Sequence, residues 1–270
     1  DWHDYGARMY DAQIGRFHTV DRFSEKYLDF SPYQYAANNP ILYIDVNGDS
    51  INVNHMNSQN QASLVQSLSN ATGLNLTVDD NGNLEYSKRK GKAEINRDAY
   101  GKKTGSKAGR KALTKAIDDE KKSLTVTDQV TESGSFALIE ENIINLDPTQ
   151  ISENMSNVNG ISSEVIGWGM TFFHEFSHTA MGGRKTDPNS QTVGNDPLGG
   201  AVRFTNTIRR QLGYSQRTQY SLTLGNNSNG ARRATLHFSK GTTHSIYPKD
   251  RGGLKIYQYG QYLQQNGIVK

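Results

Sequence analysis

Cysteine is absent from this chain of 270 residues. That excludes disulfides, thiolate zinc sites and cysteine nucleophiles, so a zinc ion here would need His and carboxylate ligands. It also fits a protein that crosses between redox compartments. No apolar run reaches the length of a membrane span, and no secretory apolar region is present. A dominant charge is lacking too. The 30 Lys and Arg against 27 Asp and Glu leave a net charge of +3, too mild by itself to imply nucleic acid. Hydrophobic residues make up 34% of the chain and the mean hydropathy is −0.73, polar for a globular protein. The Ile, Leu, Val, Phe and Tyr present still suffice for a core. The chain opens on Asp1 rather than Met, which reads as a piece of something longer.

What is there centres on Thr171-Phe172-Phe173-His174-Glu175-Phe176-Ser177-His178. Two histidines four apart lie one above the other on a helical face, so their imidazoles can converge on one zinc ion. Glu175 between them is placed to act as general base toward a water on that metal. Apolar residues recur at three- and four-residue steps (Val165, Trp168, Phe172, Phe176 and Ile166, Met170, Phe173), predicting a buried helix. Ser162 reads as its N-cap and Gly182-Gly183 as its stop. A buried helix carrying such groups must pair them with something.

A catalytic zinc takes three protein ligands and keeps one position open. No glutamate follows Glu175, and Arg184 stands where an HExxHxxGxxH pattern would need histidine. The candidates left for a third ligand are Asp187, Asp196, Asp250, His237 and His244. Asp187 and Asp196 each precede a proline close behind the helix. Asp196 with Pro197 also resembles the cap of a helix over 201–212, so Asp187 is favoured and Asp196 is the alternative.

Elsewhere the pattern predicts helical spacing at Leu64, Val65 and Leu68, and a hairpin of 74–78 with 84–86 around Asp80-Asn81-Gly82. Residues 88–111 are rich in Lys and Arg. A nuclease would use such a tract, but only Tyr100 is interleaved as a stacking aromatic, so a solvated loop or a patch for an acidic partner fits better. A helix over 108–122 follows, then strands at 123–127, 136–139 and 142–146. The last is ended by Asp147-Pro148. A strand ahead of an HExxH helix is the arrangement of zincin-type metallopeptidases, in which an edge strand can hold a peptide by strand addition.

The first fifty residues carry Asp4-Tyr5-Gly6-Ala7-Arg8-Met9-Tyr10-Asp11, Gly15-Arg16-Phe17, Ser31-Pro32-Tyr33-Gln34-Tyr35 and Asn38-Asn39-Pro40. By composition this is a β-meander with Gly, Pro and Asn turns. Over residues 4–48 it resembles the end of the core region of Rhs/YD-repeat proteins. That resemblance implies a segment closing a hollow β-shell in cis, a variable C-terminal toxin behind it, and a cognate immunity protein as partner. Some members free the toxin by autoproteolysis at two aspartates, here Asp21 and Asp45 by position, with scission after Asp49. Arg22, Val46 and Asp49 depart from that pattern, which counts against self-cleavage. Residues 172–220 in turn resemble metallopeptidase domains at the ends of Bacteroidetes-type Rhs proteins. This adds to the case for Asp187 and implies that Asn206, Arg209, Arg217 and Tyr220 belong to the site or its support, with Tyr220 or Arg217 able to stabilise an oxyanion.

The expectation is therefore an α+β chain: residues 1–49 end an Rhs core, and residues 50–270 form a zincin-like toxin domain binding Zn2+. It would be a metallopeptidase secreted or delivered into a target cell as part of a larger Rhs protein, cutting a target protein in interbacterial competition or in a eukaryotic host. No nucleic-acid partner and no membrane segment are expected. A non-catalytic shell-closing or adhesion module with a structural HExxH, and a nuclease toxin using 88–111, are the alternatives.

Overall fold

The structure is a computed structural model and describes residues 2–4, 9–11, 16–19, 51–119, 122–131, 133–139, 142–188, 196–226 and 232–246. Asp21, Asp45 and Asp250 lie outside the described residues. The chain divides into two compact units, Asp1–Gly48 with Tyr262–Lys270 and Asp49–Gln261.

In the first unit β1 (Trp2–Asp4), β2 (Met9–Asp11) and β3 (Arg16–Phe17) form an antiparallel sheet in that order. His3 lies opposite Tyr10, and Tyr10 opposite Phe17.

The second unit mixes helices and sheets and is α+β. It opens with β4 (Ile51–His55) and α1 (Ser58–Thr72), whose first turn is capped by the Asn57 side chain accepting from the Gln59 amide. Next come β5 (Leu76–Val78), β6 (Leu84–Tyr86), β7 (Lys88–Arg89), β8 (Lys92–Ala93) and α2 (Lys107–Ile117). The hairpin expected around Asp80-Asn81-Gly82 is β5–β6, with Leu76 opposite Tyr86. α2 ends five residues before the expected Lys122, at an Asp118 cap. Then follow β9 (Leu124–Thr127), β10 (Phe136–Leu138), β11 (Ile143–Asn145) and α3 (Pro148–Ser156).

The α3 helix is a correction, because Asp147-Pro148 starts an element as well as ending a strand. The Asp147 carboxylate accepts from the amides of Thr149 and Gln150, and Pro148 occupies the first helical position, where no amide hydrogen is needed. The remaining elements are β12 (Val158–Asn159), α4 (Trp168–His178), α5 (Gly199–Gln211), β13 (Thr223–Asn226), β14 (Arg232–Phe238) and β15 (Gly241–Ile246).

The expected helix from Ser162 to Gly182 is also corrected. Ser162 caps only a 3-10 turn, Ser163–Val165, and α4 begins anew after Gly167, whose backbone is extended. The two halves serve different cores, which explains why one apolar register misled. Val165 and Ile166 pack with Leu236 and Phe238. Phe172, Phe173 and Phe176 are fully buried in the larger core with Leu64, Leu68, Leu113 and Ile208. At its far end α4 stops at His178, where the Thr179 hydroxyl donates to the Phe176 carbonyl at 2.8 Å.

That larger core lies on a four-stranded sheet of order β10-β11-β9-β4. β4, β9 and β11 are parallel, and β10 is antiparallel at the edge. Ile51 and Val53 on β4 and Leu124 and Val126 on β9 bury one face of their strands, with Asn54 exposed on the other, while β11 is buried on both faces at Ile143 and Ile144. α4 lies against β10 and β11 and between α1 and α5. A second, antiparallel sheet has the order β12-β15-β14-β13. Among the described residues no helix is long and apolar enough to cross a membrane.

Candidate metal centre

α4 buries its phenylalanine face and thereby turns His174 and His178 the other way, toward a loop that doubles back from its C-terminus. The two imidazole centroids are 5.1 Å apart and nearly perpendicular. The returning segment runs beside the helix end. Arg184 donates its amide to the Thr179 carbonyl at 2.9 Å, and Lys185 donates to Ser177 at 2.8 Å. This turn needs Gly182, since a Cβ there would sit 1.8 Å from the Phe176 carbonyl oxygen. On its other side the segment meets the start of α5, where Gly200 donates its amide to the Thr186 carbonyl at 2.8 Å. Gly199, at φ +66, leaves the space that a Cβ would take from Pro188. Asp187 is clamped between these two anchors.

The result is a converging triad. Oδ2 of Asp187 lies 3.3 Å from His178 Nε2, and Oδ1 lies 3.8 Å from His174 Nε2. The three are the one group of His, Asp or Glu among the described residues spaced to hold a metal. Two ligands each about 2.0 Å from a tetrahedral zinc stand about 3.3 Å apart. The observed separations therefore need only a small closure around an ion. Two further observations favour a cation. Oδ1 of Asp187 is buried with no hydrogen-bond partner, a costly arrangement for a carboxylate oxygen. His178 Nδ1 sits 2.6 Å from the Lys185 carbonyl. A carbonyl only accepts, so Nδ1 carries the hydrogen and Nε2 points its lone pair at the centre when the ring is neutral.

Electrostatics divide the two histidines. Burial pulls His174 down to about 3, with Asp187 opposing only in part. Burial also acts against protonation of His178, but its hydrogen bond with Asp187 and the nearby Glu175 and Asp187 charges outweigh that and raise it to about 9. Asp187 is held below its ordinary value: burial pushes it up, while the His178 hydrogen bond and the charges of both histidines pull further down. His174 is thus neutral at any physiological pH and open to a cation, whereas His178 would have to give up a proton before binding one.

Glu175 is buried at 9% exposure, and its charge is felt at both His178 and Tyr220. Tyr220 comes from the loop after α5. Its ring stacks on His174 at 6.2 Å between centroids and 20° between planes. Burial and the neighbouring Asp187 carboxylate raise its hydroxyl well above the usual range, so it stays a proton donor. The loop is tied down by α5. Asn206 accepts the Arg217 amide at 2.8 Å and donates to the Arg217 carbonyl at 2.8 Å. Arg217 spends guanidinium hydrogens on the carbonyls of Gln219 and Tyr220 and lies 5.4 Å over the Tyr220 ring. Buried Arg209 bonds the Val165 carbonyl, Thr205 and Asn206.

The other candidate ligands stand apart from this group. Asp196 accepts from the amides of Leu198 and Gly199 and from Arg203, serving the start of α5. His237 is hydrogen-bonded to Thr223 at 2.7 Å, and His244 lies on β15 opposite Thr235. Sequence reasoning missed Lys185, whose carbonyl orients His178, and the Gly199-Gly200 seat of the Asp187 segment. A Gly-Gly pair opening a helix was the signal for the latter. No family model, curated protein or solved structure matches this chain.

Proposed function

We propose that the domain beginning at residue 50 is a zinc-dependent endopeptidase of zincin-like architecture, with His174, His178 and Asp187 as ligands. The single observation carrying this reading is the Asp187 carboxylate, with Oδ1 buried and lacking a hydrogen bond and its oxygens 3.3 and 3.8 Å from the two imidazole nitrogens. When bound, zinc supplies a Lewis acid that polarises a carbonyl and acidifies water. Glu175 then takes the proton of the attacking water and passes it to the leaving amine. Tyr220, kept neutral, donates a hydrogen bond to the carbonyl oxygen as it gains charge. Arg217 and Asn206 hold Tyr220 in place. β10, antiparallel at the sheet edge and close to α4, offers its outer side to an extended peptide by strand addition.

The resemblance of residues 4–48 to an Rhs core end supports a wider reading. The domain would be a toxin delivered into a target cell behind that shell, with a target-cell protein as substrate and an immunity protein as its antagonist.

The test is metal content by mass spectrometry on the purified chain, beside a His174→Ala/His178→Ala variant. About one zinc per chain in the parent and none in the variant is expected. Glu175→Gln should then keep the zinc and lose hydrolysis of a denatured protein substrate. Zinc missing from both proteins would reduce the motif to packing and leave a non-catalytic shell-closing module as the better account.

A further inference from the structure

The basic tract is not absorbed by the metal centre. Residues 88–111 hold ten Lys and Arg against Glu94 and Asp98, a net charge of +8. With +3 for the whole chain, the other residues together carry −5. The excess is therefore local.

Its shape is a two-tipped ribbon. β7 and β8 pair antiparallel with Arg89 opposite Lys92, leaving Lys90 and Gly91 as a two-residue turn. The chain then pairs Arg97 with Lys103, and the tip between them presents Tyr100, 95% exposed. Lys88 is neutralised by Asp118 at 2.8 Å. Arg89, Lys90, Lys92, Lys102 and Lys103 are exposed and make no ion pair with any described residue. Asp98 turns a carboxylate oxygen inward on its own loop, accepting from the amides of Tyr100 and Lys102.

Two features set this apart from an ordinary solvated face. Lys90 has φ +52 and Gly91 φ +73, so both central residues of the turn are left-handed. Gly and Asn take the first of these positions most readily. A lysine there sacrifices local preference and projects a cation from the tip, and such local conflicts concentrate where function demands them. The second tip holds a large aromatic almost wholly in water, the residue type that anchors interfaces.

We infer that the 88–103 ribbon docks an acidic polypeptide segment, its tip cations meeting Asp and Glu side chains and Tyr100 packing on the partner's backbone. A protein segment is favoured over single-stranded nucleic acid because the ribbon has one exposed aromatic, whereas nucleic-acid platforms stack successive bases on several. The surface is separate from the metal ligands and does not depend on the peptidase reading.

The test uses the full chain and fluorescence anisotropy with two labelled probes of about 20 units, polyglutamate and single-stranded RNA, at about 50 and 200 mM salt. Polyglutamate should bind more tightly than RNA. Lys90→Glu/Lys92→Glu/Lys102→Glu/Lys103→Glu should weaken it at least about tenfold, and Tyr100→Ala a few-fold, with zinc content unchanged. Reversing Lys115, Lys122, Arg210 and Lys240, exposed elsewhere, should change binding less than about twofold. Tighter binding to RNA would overturn the inference in favour of a nucleic-acid surface. Equal loss in the control variant, or no polyglutamate binding at about 50 mM salt, would overturn it as well.

Discussion

Asp187 and Asp196 make an instructive pair. Both precede proline and they lie nine residues apart, yet the fold surrounds them with opposite physics. Asp187 is partly buried, faces two imidazoles and keeps one oxygen without a hydrogen bond. Asp196 is half-exposed, with its carboxylate shared among two amides and Arg203. The difference is one of satisfaction. A carboxylate already supplied with donors has little to gain from a cation, whereas a desolvated one with an idle oxygen gains a great deal.

The sharpest way to break this comparison is to remove each carboxylate. Asp187→Ala should lower zinc affinity more than about 100-fold, beyond the 10- to 100-fold typical of outer-shell changes. Asp196→Ala should leave zinc affinity unchanged and lower the melting temperature slightly through the lost contacts at the start of α5. Zinc titration with a competing chelator reads both. Comparable losses of affinity would mean that Asp196 moves into the site in solution.

Next in size are the groups around the triad. If Glu175 is the base, Glu175→Gln should cut peptide hydrolysis about 10²- to 10⁴-fold with zinc retained. Tyr220→Phe should lower kcat about 10²-fold with KM little changed, the signature of a donor used in the transition state. A rise in KM alone would instead make Tyr220 a packing residue.

The smallest effect is the pH dependence of the metal-free chain. His178 is raised to about 9 when folded, so its contribution to stability is full below about pH 6.5 and lost as pH rises to about 9. His174 is lowered to about 3. Below about pH 6.5 the unfolded chain therefore takes up a proton that folded His174 refuses, and stability falls again toward pH 3. Urea midpoints of the chelated protein should peak near pH 6.5, and zinc should remove the loss on the alkaline side. An unchanged midpoint between about pH 6.5 and 9 would sever His178 from Asp187.

Much of this was legible along the chain because it is local. The α1 stripe of Leu64 and Leu68, the β5–β6 hairpin about Gly82, the strands at 124–127 and 143–145 and the His-Glu-His spacing all follow from short-range periodicity and turn chemistry. Where reading failed, a local signal had two meanings. Asp147-Pro148 ends one element and starts another. The apolar register through Val165 and Phe172 spans two cores.

The sequence by itself determined which chemistry was available. With no cysteine and no glutamate beyond Glu175, a zinc site on these two histidines with its third ligand downstream would draw that ligand from histidine or aspartate. Only the tertiary structure brings one of those aspartates, Asp187, within reach of both histidines. Asp187 reaches the histidines because Gly182 lets the chain fold back on Phe176 and the α5 glycines seat the returning segment. Those are backbone contacts between turns and loops six to fourteen residues apart, and no periodicity in residue type encodes them.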